Sequence, residues 1–193
     1  MGGEEGRAVR ETPAGYPKWT VRPARPNDAA RLGEFLLEAW KEAGPGALGF
    51  TGATEGAIKE IASEEFLSRR LSSPNVRMVV AEFGNRFLGF ASLRTLGGGS
   101  AELSGIVVLQ SAAGEGIGTR LLRKACDLAA KSGLAAVAVK TESFNRRAIG
   151  FYKKNGFVET GRTMEKVGKS KVPVQVLEKS LHRGHEGRPR RPR

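Results

Sequence analysis

The 193-residue chain has one cysteine, Cys126, and two histidines, His182 and His185. A single thiol excludes an internal disulfide, and so few soft or imidazole ligands leave no set with conventional zinc spacing. No apolar run approaches the roughly 18 residues needed to span a membrane. The N-terminus, Met1-Gly-Gly-Glu-Glu5, has neither a basic n-region nor an apolar h-region, so the expected location is the cytoplasm with no membrane partner. Acidic residues are also scarce, at 20 Asp plus Glu against 32 Lys plus Arg, for a formal charge of +12. That excess points first to a polyanionic partner. Yet aromatics are only 7%, and no helix-turn-helix, zinc finger or RNA-recognition motif accompanies the charge. A nucleic-acid- or ribosome-associated role therefore rests on charge alone.

What is present describes a globular chain, with 39% hydrophobic and 27% charged residues. Residues 182–193 hold five arginines against Glu186, whereas residues 1–18 balance three basic groups against three acidic ones. Both ends are poor in apolar residues and punctuated by Gly and Pro. The expected organisation is a flexible arm over 1–18, one domain over 19–181 and a basic, disordered tail over 182–193. Any nucleic-acid contact is expected of that tail.

Trp19 to Arg25 reads as a short strand, and Leu32, Phe35, Leu36, Ala39 and Trp40 recur at helical spacing, which predicts a helix over 27–43. A second helical pattern covers 54–72, with Ile58, Ile61, Phe66, Leu67 and Leu71 on one side and Glu55, Glu60, Glu64 and Glu65 on the other. Val76 to Phe83 and Arg86 to Leu93, around Gly84-Asn85, predict a hairpin. There follow a strand over 101–109, a helix over 116–132, a strand over 135–141, a helix over 145–155, a strand after Gly156-Phe157 and a closing strand over 171–181. This mixture predicts an α/β (α+β) layer fold, with a mixed sheet of about six or seven strands flanked by about four helices.

Two segments carry chemistry. Gly114-Glu-Gly-Ile-Gly-Thr119 lies between a buried strand and an amphipathic helix. Glycines there let backbone amides approach a ligand, and the helix N-terminus adds partial positive charge, which together favour a phosphate or pyrophosphate. A P-loop would need Gly-Lys-Ser/Thr where Gly118-Thr119-Arg120 stands, and the dinucleotide fingerprint would need glycine at Thr119. In the second segment, Asn145 to Phe157, helical geometry places Asn145, Ala148 and Tyr152 on one face, since seven residues nearly complete two turns. Helix cap and core tyrosine are the plain alternatives for Asn145 and Tyr152.

The two segments together resemble the GNAT superfamily of acetyl-coenzyme A-dependent N-acetyltransferases. The likeness covers about 20–181 and is strongest over 101–157, where a Gln/Arg-x-x-Gly-x-Gly loop and Asn-x-x-Ala-x-x-Phe-Tyr-x-x-x-Gly-Phe follow in family order. It implies the GNAT fold, acetyl-coenzyme A as cosubstrate, no metal and an amine as acceptor. It further implies that the amides of Gly114, Gly116, Gly118 and Thr119, with Ala113 beside them, hold the pyrophosphate. The backbone of Ile106 and Val108 would pair with the pantetheine arm, Asn145 would contact it from the other side, and Tyr152 would protonate the leaving thiolate. A homodimer through sheet edges is a further option that the family offers.

Direct attack by a neutral amine needs a base, an oxyanion donor near Val108 and an acid. A tyrosine with an ordinary pKa near 10 stays protonated at neutral pH. Glu102 is the candidate base, at the place where the histone acetyltransferase branch carries its glutamate, and its even separation from Val108 predicts one shared face. Two departures stand out: Ala113 occupies the Gln/Arg position, and Glu115 a position that is commonly basic. Either Glu115 points away, or Arg120, Arg123, Arg146, Arg147 and Lys153 compensate it. Cys126 lies on an apolar helix face and reads as core rather than as an acetyl carrier. The glutamates at 55–65 would suit a cationic amine if their helix borders the cleft. A protein N-terminus, a lysine, a polyamine, an amino acid and an aminoglycoside all remain open as acceptors. The opposing reading, a coenzyme A-binding protein without catalysis, is disfavoured by the presence of Asn145 and Tyr152.

Overall fold

The structure, a computed structural model, describes residues 19–44, 55–167 and 170–181. The arm expected over 1–18 and the tail expected over 182–193 lie outside the described residues. Seven strands form one mixed sheet in the order β1-β2-β3-β4-β5-β7-β6. They are β1 (Thr20–Pro23), β2 (Val76–Phe83), β3 (Arg86–Thr95), β4 (Ser100–Val108), β5 (Ala136–Glu142), β6 (Val158–Val167) and β7 (Ser170–Ser180). Among the described strands, only β4 and β5 pair in parallel. The last strand does not close the sheet as expected: β7 inserts beside β5 and leaves β6 at the edge. Burial explains this order, because β7 contributes the fully buried Leu177 and buried Val174, whereas Val158 and Met164 of β6 are more than half exposed.

Among the described residues, five α-helices pack around the two faces of the sheet. On one face, α4 (Ile117–Lys131) buries Ile117, Leu121, Leu122, Ala125, Cys126 and Ala129, the apolar set at helical spacing. These side chains meet Val79, Ala91, Leu93, Val137 and Val139 from the strands, and Tyr152 of α5 (Arg146–Lys154) joins the same cluster. On the other face, α1 (Ala29–Ala43) packs Leu32, Phe35, Leu36 and Ala39 against Met78, Val80, Phe90 and Val107. Full burial of a leucine contributes about 1.5–3 kcal/mol, so these two clusters dominate the stability of the domain.

A polar clamp ties the first strand to this frame. Arg22 of β1 donates to Asp28 at 2.7 and 2.9 Å and to Glu82 of β2 at 2.7 and 2.8 Å. Asp28, at the start of α1, is 3% exposed. Burial alone would raise its carboxyl, but the Arg22 hydrogen bonds and the Arg25 amide outweigh that and hold it below the ordinary carboxylate range.

The helix expected over 54–72 is two helices, α2 (Glu55–Ile61) and α3 (Glu64–Ser72). Ser63 breaks the run with extended backbone and caps α3 by accepting a hydrogen bond from the Phe66 amide. The junction also presses on α1, where a Cβ at Gly33 would lie 2.2 Å from the Ala62 carbonyl oxygen. Hydrophobic periodicity continues through such a break, which is why it does not register there.

Gly33→Ala should therefore destabilise the domain. Helix propensity favours alanine by up to about 1 kcal/mol, while overpacking against backbone costs about 1–3 kcal/mol, so a net loss is expected in urea unfolding. An unchanged or raised midpoint would show that α1 does not sit this close to the junction.

Candidate active site

The parallel pair β4–β5 opens the site. Its register covers only Ser100, Glu102 and the residue between them against Ala136–Ala138, after which the strands diverge. Between them lies a cleft of about 840 Å³, within the range of small-ligand sites. Ile106, Val108, Ala113, Gly114, Gly116, Gly118, Thr119, Asn145, Tyr152 and Glu102, the ten residues expected from sequence, all line it.

The divergence frees part of the β4 backbone. The Leu109 amide donates to Leu88 of β3 at 2.9 Å. In an antiparallel pair the hydrogen-bonding direction alternates, so Val107 also faces β3 while the peptide groups of Ile106 and Val108 turn into the cleft.

A bulge sets which side chains share a face. Leu93 pairs with Leu103 and Ser92 with Gly105, so Ser104 is an extra residue in β4. Before it, Ala101 and Leu103 pack with α4; beyond it, Val107 and Leu109 pack with α1. The expectation that Glu102 and Val108 share a face is therefore wrong. Glu102 lies on the α1 side and Val108 on the α4 side, because one inserted residue reverses the two-residue alternation.

At one end of the cleft the glycine segment leads into α4. Gly114 and Gly116 have φ of 89° and 76°, which other residues rarely adopt. Gly116 caps α4 without a side chain, and the first intrahelical bond runs from the Arg120 amide to Gly116. The amides of Ile117, Gly118 and Thr119 thus have no acceptor within the helix, at its electropositive end. Glu42, at the end of α1, accepts from the amides of Gln110 and Ser111 at 2.6 and 3.3 Å and fixes the loop leading into this segment. Glu115 is exposed and does not line the cleft, as one of the two expected arrangements has it. The compensating cations are mostly elsewhere: Arg120 lies over the Trp19 ring at 4.8 Å and Lys153 pairs with Glu159 at 3.7 Å. Arg147 is the one of the five that reaches the cleft.

On the opposite wall, Asn145 caps α5 by accepting from the Ala148 amide at 3.0 Å, and it also lines the cleft. Tyr152 is 6% exposed and packs against Phe151 and Phe157 at ring distances of 5.3 and 5.6 Å. Burial, with the negative charge of Glu142 nearby, pushes its phenol up to about 12. Cap and core roles therefore coexist with cleft exposure at these two residues. Cys126 stays in the core, away from the cleft, where burial raises its thiol.

Several charged residues that line the cleft were not singled out from the sequence. Arg94 donates to Glu102 at 2.7 Å, Lys140 pairs with Glu165, and Glu142 at the end of β5 is 9% exposed. A carboxylate ending a buried strand just before a helix cap is the signal that could have marked Glu142. The glutamates of α2 and α3 are exposed, with Glu55 paired to Lys59 at 2.8 Å and Glu65 to Arg69 at 3.9 Å, and they do not line the cleft.

Residues 35–157 match the family model of the acetyltransferase (GNAT) family. The uncharacterized N-acetyltransferase YhfO of Bacillus subtilis is 31% identical over 144 residues, which cover 72% of this chain and 89% of that protein. Among solved structures, the PaiA N-acetyltransferase of Thermoplasma acidophilum, determined with coenzyme A, superposes with a TM-score of 0.64 at 23% identity, over 84% of this chain and 98% of that one. The acetyltransferase of the GNAT family from Streptococcus pneumoniae gives a TM-score of 0.64 at 23% identity, over 85% and 99%. A strand pair that parts beside a glycine-capped helix, with an asparagine-capped helix bearing a buried tyrosine opposite, agrees with that match: the chain belongs to the acetyltransferase (GNAT) family and is an acetyl-coenzyme A-dependent N-acetyltransferase.

Proposed function

We propose that this chain transfers the acetyl group of acetyl-coenzyme A to a primary amine by direct attack in a ternary complex. The observation that carries the proposal is the cleft itself, which joins free amides at the α4 N-terminus, open peptide groups on β4 and the phenol of Tyr152. Acetyl-coenzyme A supplies the activated thioester. The amides of Ile117, Gly118 and Thr119, left uncovered by Gly114 and Gly116, suit its pyrophosphate. Ile106 and Val108 offer peptide groups to an extended pantetheine arm, and the Val108 N–H is suited to receive oxyanion charge. Asn145 uses its carbonyl oxygen for the cap, and its amide nitrogen is available as a donor.

Tyr152 then acts as the acid. With its phenol at about 12 it carries its proton throughout the working pH range and can hydrogen-bond the departing sulfur. Glu102 takes the proton of the incoming ammonium, directly or through water, from the α1 side of the sheet. Its Arg94 partner fixes the carboxylate where β4 and β5 begin to part. The bulge at Ser104 supports attack from one face and departure toward the other.

The reading is tested at three residues. Tyr152→Phe should lower kcat by about 10²-fold or more with unchanged acetyl-coenzyme A binding. Because the phenol ionises only near 12, the wild-type rate should not fall through Tyr152 deprotonation between pH 7 and 10; a tyrosine-dependent alkaline limb within that window would contradict the assignment. Glu102→Gln should slow the reaction at neutral pH by about 10²-fold with little change in acetyl-coenzyme A affinity, so an unchanged kcat would assign the base elsewhere. Glu115→Arg should tighten coenzyme A only severalfold in a calorimetric titration, since the side chain points to solvent; weaker or equal binding would refute a repulsive role.

A further inference from the structure

Among the described residues, three cations line the cleft, Arg94, Lys140 and Arg147, and two of them are already matched. Arg94 donates to Glu102, and Lys140 pairs with Glu165. Arg147, in the first turn of α5, is exposed, and among the described residues it has neither an ion-pair nor a hydrogen-bond partner. A first helical turn is also an unfavourable place for a cation, because the free amides there already carry partial positive charge. α5 nonetheless begins with Arg146 and Arg147 and has no acidic residue in that turn. A side chain that opposes the local rule, faces a cavity and has no internal partner is one that an outside anion would compensate.

Packing puts this cation beside the end of the cleft that suits phosphate. Arg147 and Phe151 are four residues apart and share a face of α5. A Cβ at Gly118 would lie 3.5 Å from the Phe151 ring, so the α5 wall touches the first turn of α4. Arg147 therefore stands about one helical turn, roughly 5.4 Å along α5, from the residue that meets the α4 N-terminus. The amides there suit one anionic group, the pyrophosphate, and the glycine segment adds no side-chain cation, since Ala113 and Glu115 occupy the positions that could carry one. Coenzyme A has a second anion, the 3′-phosphate on the ribose next to the pyrophosphate. A guanidinium presents the forked donors that a phosphate monoester accepts. Arg146 supplies the contrast, because it is exposed as well but does not line the cleft.

We propose that Arg147 receives the 3′-phosphate of coenzyme A and makes the protein select coenzyme A over its dephospho form. The proposal rests on coenzyme A occupying the cleft as read above, with its pyrophosphate at the α4 N-terminus. Arg147 is then a binding residue for the cosubstrate and takes no part in proton transfer.

The test crosses two ligands with two arginines. Coenzyme A and dephospho-coenzyme A are titrated calorimetrically, at one ionic strength, into the wild-type protein and into Arg147→Gln, Arg147→Lys and Arg146→Gln. Wild type should bind coenzyme A about tenfold or more tighter than the dephospho form. Arg147→Gln should weaken coenzyme A by about tenfold and leave dephospho-coenzyme A where it was, which also shows that the variant is folded. Arg147→Lys should recover part of the preference, and Arg146→Gln should keep it. An equal loss of both ligands in Arg147→Gln overturns the proposal, because Arg147 then acts on the pyrophosphate or on the fold. A wild type that binds both ligands alike overturns it too, as does a preference lost equally in Arg146→Gln, which would make it an effect of net charge; in both cases coenzyme A still occupies the cleft. Wild-type protein that binds neither ligand overturns that occupancy together with the proposal.

Discussion

Everything at the cleft depends on one constraint: β4 and β5 pair for three residues and then part. Parallel strands hold together through evenly spaced, slanted hydrogen bonds, and ending that ladder leaves peptide groups that need partners. Elsewhere such a gap would be a defect in the sheet. Here the freed groups of Ile106 and Val108 face a cavity of about 840 Å³, and a ligand with an extended amide-bearing arm can complete the ladder. The helix termini follow from the same opening. α4 begins where β4 ends, and α5 begins where β5 ends, so the two caps, Gly116 and Asn145, flank one space.

The bulge at Ser104 gives that space two sides. A regular strand would present Glu102 and Val108 to the same layer; one inserted residue sends them to opposite layers. The glycine segment, Val108 and Tyr152 therefore belong to the α4–α5 side, and Glu102, Arg94 and Ser104 to the side covered by α1 and α3. In the ternary complex proposed above, donor and acceptor would then approach from different faces without competing for the same groups. In the mechanism proposed above, proton removal and proton delivery would likewise be separated.

Rigidity around the opening comes from neighbours rather than from the cleft. β3 and β4 share a long antiparallel register, and β5 is held by seven residues of β7. The Arg22–Asp28–Glu82 clamp fixes the start of α1, and Glu42 at its other end holds the loop after β4. α1 thus spans from the sheet edge to the mouth of the cleft. The close approach of Gly33 to Ala62 then sets the position of α2 and α3 over the same side of the sheet as α1, where Arg70 meets Ser92.

The sequence by itself determined the parts whose cause is local. Periodicity located α1, α4 and the hairpin; glycines and a capping asparagine marked the two helix starts; and the ten residues named from these motifs and from the family resemblance line one cavity. Local signals failed where a single residue changes the phase or where partners are distant in sequence. Ser63 divides a helix whose apolar pattern continues, and Ser104 reverses a strand whose alternation otherwise looks regular. The edge position of β6, the Arg94–Glu102 and Lys140–Glu165 pairs, the turning away of Arg120 and Lys153 and the exposure of the α2–α3 glutamates were decided only by tertiary structure. The reason is that side-chain charges take their partners across strands and layers. Backbone conformation and apolar spacing are written within a few residues, whereas the electrostatic character of the cleft exists only once the sheet has been assembled.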